Sequence, residues 1–67
     1  MEILLNNTKE QIEAGTLSVA GLLLVKNYTF KMLVIKINGK LIPKDQYETT
    51  FIHNGDDVMV LHLISGG

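Results

Sequence analysis

The chain has 67 residues, no cysteine, 46% hydrophobic residues and a formal net charge of −1. A chain of this size forms one small domain that buries only about 60% of its unfolded surface, and without disulfides its apolar core must stabilise it. The six basic residues are all lysines and are scattered, which excludes the clustered basic face of a nucleic-acid-binding protein. The apolar runs are far shorter than the ~20 residues of a membrane span, and the start lacks a signal-peptide pattern. We therefore expect a cytoplasmic protein that binds neither membrane nor nucleic acid.

The start of the chain predicts a β-hairpin. Residues 2–5 form a mostly apolar strand. Asn6-Asn7 suits a tight turn, because asparagine tolerates the positive φ that such turns require. Residues 8–13 are polar apart from Ile12, which is typical of an edge strand with one solvated face. Residues 14–16 then predict a break.

Residues 19–25 predict a short helix. Ser18 can cap it by accepting a hydrogen bond from a nearby backbone N–H, and Lys26-Asn27 is typical of a helix C-terminus. Three apolar residues lie on one helical face: Val19, Leu22 and Leu23. Gly21 disfavours a helix by about 1 kcal/mol relative to alanine. The alternative is a buried strand, but the two end signals favour the helix.

The next part of the chain predicts a second hairpin. Residues 32–37 alternate in the way expected of a central strand. Asn38-Gly39 is a strong tight-turn signal, and residues 40–42 form a short strand. Pro43 lacks a backbone N–H and should end that strand or place it at an edge.

The last part predicts one helical turn at residues 44–47 and an irregular segment at residues 48–52, with Phe51 and Ile52 packed on the core. The run Asn54-Gly55-Asp56-Asp57 is a second glycine turn, and residues 58–64 form the last strand. The resulting order, β-β-α-β-β-β with a short fourth strand, predicts an α+β fold.

No internal group of residues predicts an active site. His53 and His62 lie nine residues apart, which is no recognised zinc spacing, and no cysteine is available to complete a metal site. The run Asn54-Gly55-Asp56-Asp57 resembles half of a calcium loop, but the remaining ligands are missing, so a turn is favoured. There is no Ser-His-Asp order and no nucleophile elbow. We expect neither a metal nor a bound cofactor.

The end of the chain is the remaining candidate. The last strand runs directly into Ser65-Gly66-Gly67, and an extended tripeptide reaches roughly 10 Å. Glycine lets the backbone pass where a Cβ would clash, so this segment could enter a narrow site with its carboxylate at the tip. The alternative is a mobile end that serves no purpose.

The last strand also predicts a partner-binding face. If Val58 and Val60 face the core, the alternate side presents an apolar row to the other face of the sheet: Met59, Leu61 and Leu63. Such a row beside the tail suggests a docking surface. The alternative is that a second layer, such as residues 48–52, covers it.

The chain resembles the ThiS family, the ubiquitin-like sulfur carrier proteins of thiamin biosynthesis, over nearly its full length. The matching segments are residues 1–7 (MEILLNN), 13–16 (EAGT), 34–43 (VIKINGKLIP) and 54–58 (NGDDV), followed by the last strand and Gly66-Gly67. The helix departs from the family pattern, with a shifted entry at residues 17–21 and more apolar residues at Leu24 and Val25.

The resemblance implies a β-grasp (ubiquitin-like) fold, a mixed sheet of four to five strands packed on one helix with the last strand central. Residues 1–64 would form the domain and residues 65–67 a flexible tail. It also implies that a ThiF-type activating enzyme, which binds the ATP and Mg²⁺, adenylates the carboxylate of Gly67. A sulfur donor protein then supplies sulfur for a thiocarboxylate, which delivers it to the thiazole synthase ThiG. The chain would be a protein co-substrate, not an enzyme, and monomeric when free.

Two alternatives stay open at this point. The small subunit of molybdopterin synthase shares the fold and the tail chemistry, although the short length and residues 38–43 favour the thiamin carrier. A plain β-grasp interaction module would share the fold but would not need a free Gly67 carboxylate.

Overall fold

The fold is a mixed five-stranded sheet that carries one helix, beside a second sheet of two short strands. A computed structural model describes residues 1–28 and 32–62. In chain order the elements are β1 (Glu2–Leu5), β2 (Thr8–Gln11), β3 (Thr16–Ser18), α1 (Val19–Val25), β4 (Leu33–Ile37), β5 (Lys40–Ile42), a 3₁₀ helix (Lys44–Gln46), β6 (Phe51–His53) and β7 (Asp57–His62).

The larger sheet has the strand order β2-β1-β7-β4-β5, so the last strand is its centre. β7 runs parallel to β1 and antiparallel to β4, while the hairpins β1-β2 and β4-β5 are antiparallel. The predicted α+β class, the mixed sheet and the central position of the last strand are confirmed. β2 lies at an edge, as its polar sequence predicts.

Both hairpins turn through residues in the left-handed region. Asn6 and Asn7 have φ of 52° and 66°, and Asn38 and Gly39 have φ of 51° and 82°. These angles match the twist of the flanking strands, which is why Asn-Asn and Asn-Gly are good signals for two-residue turns. The two predicted turns are confirmed.

The helix begins and ends at the predicted residues. The Ser18 hydroxyl oxygen accepts a hydrogen bond from the Gly21 backbone N–H at 3.0 Å, and Asn27 is left-handed with φ of 57°. A Cβ on Gly21 would lie 2.7 Å from Leu17 Cδ1 and 3.1 Å from Ser18 Oγ. The glycine therefore makes room for the close junction between β3 and α1.

The core lies between α1 and one face of the larger sheet, with β6 contributing one residue. Val19 and Leu22 of α1 and Ile52 of β6 are fully buried. The remaining buried hydrophobic residues are Ile3, Leu5, Ile12, Ile35, Ile37, Ile42, Val58 and Val60. No polar or charged residue is buried among the residues that the structure describes.

The structure corrects part of the prediction for residues 14–16 and 48–52. Residues 14–15 and 48–50 lie outside helices and strands, as predicted, but Thr16 begins β3 and Phe51 begins β6. These two strands pair in register Leu17↔Ile52, and the Thr16 hydroxyl donates to the Ile52 carbonyl at 3.0 Å. Ile52 is buried as predicted, but Phe51 is 50% exposed, so its predicted place on the core is wrong. Neighbouring residues of a strand point to opposite sides, and only Ile52 points inward.

Strand β2 ends at Gln11, two residues before the predicted end. The Ile12 side chain is buried, and the Ile12 backbone N–H donates to the Met1 carbonyl at 2.8 Å. The Met1 amino group in turn donates to the carbonyls of Ile12 and Ala14, at 2.7 and 2.8 Å. The reciprocal bonds between Met1 and Ile12 continue the antiparallel pairing of β1 and β2 by one residue on each chain segment.

The Asn38-Gly39 turn gives a test of backbone strain. At both Gly39 and Gly15, no atom lies within 4 Å of the place that a Cβ would occupy. The two glycines differ in their backbone, since only Gly39 has a positive φ, of 82°. We expect Gly39→Ala to lower the free energy of unfolding by about 1–2 kcal/mol, because a Cβ disfavours left-handed backbone. Gly15→Ala is the matched control and should change it by less than about 0.5 kcal/mol. Urea denaturation measures both variants. If Gly39→Ala and Gly15→Ala lowered the free energy of unfolding equally, backbone strain at Gly39 would not be the cause.

Candidate functional site

The predicted tail lies beyond the described part of β7. The structure describes this strand as far as His62. The predictions for Leu63, for Ser65-Gly66-Gly67 and for the flexibility of residues 65–67 concern residues outside the described ranges, and they stay predictions. The same holds for the division of the chain into residues 1–64 and a tail. The site is therefore built from the strand that leads to the tail.

The side chains of β7 alternate between the core and the other face of the sheet. Val58 is fully buried and Val60 is 8% exposed, whereas Leu61 is 45% exposed and Met59 is half-buried. The register Lys36↔Met59 and Val34↔Leu61 places both outward residues beside β4. The predicted orientation of Met59 and Leu61 is confirmed, and their role in partner binding stays a prediction.

A shallow groove of about 260 Å³ lies on this side of the sheet. Its lining residues come from β7, β4 and the turn after β4: Lys36, Gly39, Asp57, Met59 and Leu61. Residues 48–52 do not line it, because Ile52 is directed into the core and pairs with Leu17 of β3. The alternative in which residues 48–52 cover the apolar row is therefore wrong.

The apolar surface continues across neighbouring strands. Leu41 of β5 lies opposite Lys36 and is 58% exposed, and Leu4 of β1 lies opposite Asp57 and is 37% exposed. We call this surface the outer face and define it by Leu4, Val34, Lys36, Leu41, Met59 and Leu61. Soluble domains normally place polar residues on a solvated sheet face, so a mostly apolar one favours the prediction of an interaction surface.

Hydrogen bonds from two turns hold the start of β7. Asn38 donates through its side-chain amide to Asp56 Oδ1 at 3.1 Å and accepts from the Asp57 backbone N–H at 3.0 Å. The Asn38 backbone N–H donates to the Asp57 carbonyl at 2.7 Å, and Asp56 Oδ2 accepts from the His53 backbone N–H at 2.9 Å. The turn at residues 54–57 is thus fastened to the β4-β5 hairpin.

A third turn holds the middle of β7. The Asn6 side-chain oxygen accepts a hydrogen bond from the Val60 backbone N–H at 2.7 Å, and the Asn6 backbone N–H donates to the Val58 carbonyl at 2.9 Å. Asn6, Asn38 and Asp56 therefore position the strand that leads to the tail. From the sequence, all three are recognised only as turn residues. Asn6 and Asn38 bond to residues far along the chain, and Asp56 bonds within its own turn, so no sequence pattern reveals these contacts.

The described side chains bring no metal-binding group together. No group of three His, Asp or Glu residues within residues 1–28 and 32–62 could hold a metal ion. Partial burial raises the pKa of the Tyr47 hydroxyl above its ordinary value of 10.0. None of the helices in these ranges has the length and apolar composition needed to cross a membrane.

Comparisons with known proteins agree with the observed fold. The model of the ThiS family matches residues 2–67. The crystal structure of the thiamine biosynthesis protein (ThiS) from Geobacter metallireducens is 25% identical, with a TM-score of 0.86 and full coverage of both chains. The NMR solution structure of a thiamine biosynthesis protein from the same organism is 23% identical, with a TM-score of 0.81, and the match covers 100% of this chain and 88% of that one. No curated protein matches the chain.

The orientation of β7 can be tested with two adjacent substitutions. Val60→Glu places a carboxylate in the core and should lower the free energy of unfolding by more than about 3 kcal/mol or unfold the chain. Leu61→Glu places the carboxylate in solvent and should lower the free energy of unfolding by less than about 1 kcal/mol. Urea denaturation followed by circular dichroism measures both. A larger loss for Leu61→Glu would mean that the register is shifted by one residue.

Proposed function

Because the chain belongs to the ThiS family of ubiquitin-like sulfur carriers, we propose that Gly67 carries sulfur as a thiocarboxylate for thiazole formation in thiamin biosynthesis. The observation that carries this proposal is the course of β7. This strand is the centre of the sheet, is held by three turns, and continues along the chain toward Ser65-Gly66-Gly67. A rigid domain would thus present a narrow terminus with a carboxylate.

The chemistry requires the carboxylate to be activated. An α-carboxylate is anionic at pH 7 and is a poor electrophile. Attack of the Gly67 carboxylate on the α-phosphate of ATP would release pyrophosphate and leave an acyl-adenylate. The outer sulfur of a persulfide on a sulfur donor protein would then displace AMP at the carbonyl carbon and form an acyl disulfide. Attack by a second thiol on the donor's sulfur would break the S–S bond, leaving a disulfide on the donor side and the thiocarboxylate on Gly67. The resulting thiocarboxylate is a nucleophilic form of sulfur for the thiazole synthase ThiG.

We assign the binding of ATP to the activating enzyme and not to this chain. The sequence contains no phosphate-binding loop, so we propose that a ThiF-type activating enzyme holds ATP and Mg²⁺. The chain is then a protein co-substrate and not the catalyst. Gly66 and Gly67 would admit the terminus to the enzyme's active site, because neither carries a Cβ.

The outer face supplies a docking surface for that enzyme. Met59 and Leu61 lie on the strand that leads to the tail, and Leu63 continues their row in sequence. Binding of this face to the activating enzyme would place the tail in one direction relative to the active site. Fixing the direction in this way reduces the entropy lost when the reacting groups meet.

The length of the tail gives the direct test. Adding one alanine after Gly67 moves the carboxylate by roughly 3.5 Å, and a displacement of about 1 Å can cost on the order of 100-fold in rate. We expect the extended chain to lose ATP–pyrophosphate exchange with a ThiF-type enzyme, while its thermal unfolding stays unchanged.

Gly67→Ala is the matched control, because it adds the same methyl group without moving the carboxylate along the chain. Its loss should be smaller than that of the extended chain. If the extended chain supports exchange as well as the native chain, the terminus is not the reacting group, and an interaction module becomes the better description.

A further inference from the structure

We propose that Lys36 recognises the activating enzyme by pairing with a carboxylate of that enzyme inside the outer face. This inference rests on the proposed function, since it concerns the same docking event. It adds a specificity-determining residue that lies on β4 and not on the strand that carries the tail.

The strand register places Lys36 among apolar side chains. Its neighbours directly across the sheet are Met59 on β7 and Leu41 on β5. The next pair on the same face is Val34↔Leu61. Lys36 also lines the groove of about 260 Å³ together with Met59 and Leu61. Its ammonium group therefore lies among the apolar side chains of β4, β5 and β7, whereas Lys9, which is opposite Leu4 on the same face, belongs to the edge strand β2.

Lys36 forms no ion pair within the described part of the chain. The salt bridge found there joins Lys26 Nζ to Glu10 Oε1 at 3.0 Å, between the end of α1 and the edge strand β2. Asp57 lines the same groove as Lys36, but it does not form a salt bridge with it. Lys36 is exposed, so in the free protein water solvates its charge.

Docking changes the surroundings of this charge. A partner that covers Met59, Leu61 and Leu41 also removes water from the Lys36 ammonium group between them. An unpaired charge in such a place is costly, whereas a carboxylate at hydrogen-bond distance compensates for the lost water. The aliphatic stem of the lysine can still pack against the apolar groups. The partner surface that fits is thus apolar with one carboxylate, and partners without the carboxylate are rejected.

The activating enzyme is the occupant that the geometry favours. Lys36 and the groove adjoin β7, the strand that continues toward the reacting terminus, so a protein that takes up the terminus also reaches this face. A second copy of the chain could instead bring a carboxylate such as its own Asp57 to Lys36, and this competing occupant is tested below.

The test compares three substitutions in the ATP–pyrophosphate exchange assay with a ThiF-type enzyme. Lys36→Met keeps the length and apolar character of the side chain but removes the charge, and it should raise KM by at least about 30-fold. Lys36→Arg keeps the charge and should stay within a few-fold of the native chain. Lys44→Met removes the same charge from the exposed 3₁₀ helix and should leave KM unchanged. The kcat should not change, because none of these residues lies on the tail.

The outcomes separate the two proposals. If the native chain supports exchange and Lys36→Met binds equally well or more tightly, the partner supplies only apolar contacts, and the proposed carboxylate is refuted. If the native chain is a dimer by sedimentation and Lys36→Met makes it a monomer, the occupant is a second copy, which also refutes it. If the native chain supports no exchange, the proposed function fails, and the role of Lys36 fails with it. Circular dichroism of each variant verifies the fold.

Discussion

The hydrogen bonds that hold β7 are the constraint on which the rest of the structure depends. This strand pairs with both β1 and β4, and its two sides carry different residues. A shift by one residue would exchange Val58 and Val60 with Met59 and Leu61, because neighbouring side chains point to opposite faces. Side-chain bonds from Asn6 and Asn38 to backbone N–H groups of β7 oppose such a shift. The core and the outer face are therefore set together.

The small size of the domain makes the apolar outer face informative. Its core is one-sided, with α1 and Ile52 on the inner side of the sheet. The exposed side chains of Leu41 and Leu61 add little to this core, since about half of each stays in contact with water. A marginally stable chain gains little stability from such residues, which supports the proposal that this face binds a partner. The position of Lys36 among them fits the same interpretation, since a charge there adds selectivity and not stability.

Local signals in the sequence predict the turns, the helix and most of the larger sheet. Asn6-Asn7, Asn38-Gly39 and the Ser18 cap each act through contacts a few residues apart, and all are confirmed. Strands β3 and β6 escape prediction because they pair only with each other, across a long stretch of the chain. The equally short β5 is predicted because the Asn38-Gly39 turn joins it to β4. The surroundings of Lys36 are equally hidden, since they depend on the register of three strands. The terminal chemistry comes from the family resemblance, which the family match supports.

The central claim is that the terminus of this chain accepts sulfur, and the intact mass of the protein tests it most directly. The chain is incubated with ATP, Mg²⁺, a ThiF-type activating enzyme and a sulfur donor protein, and a parallel sample lacks ATP. The expected result is an ATP-dependent mass increase equal to the difference between one sulfur and one oxygen atom, located at Gly67 by fragmentation. An unchanged mass in the complete mixture, with an enzyme that activates its own carrier under the same conditions, would contradict the claim.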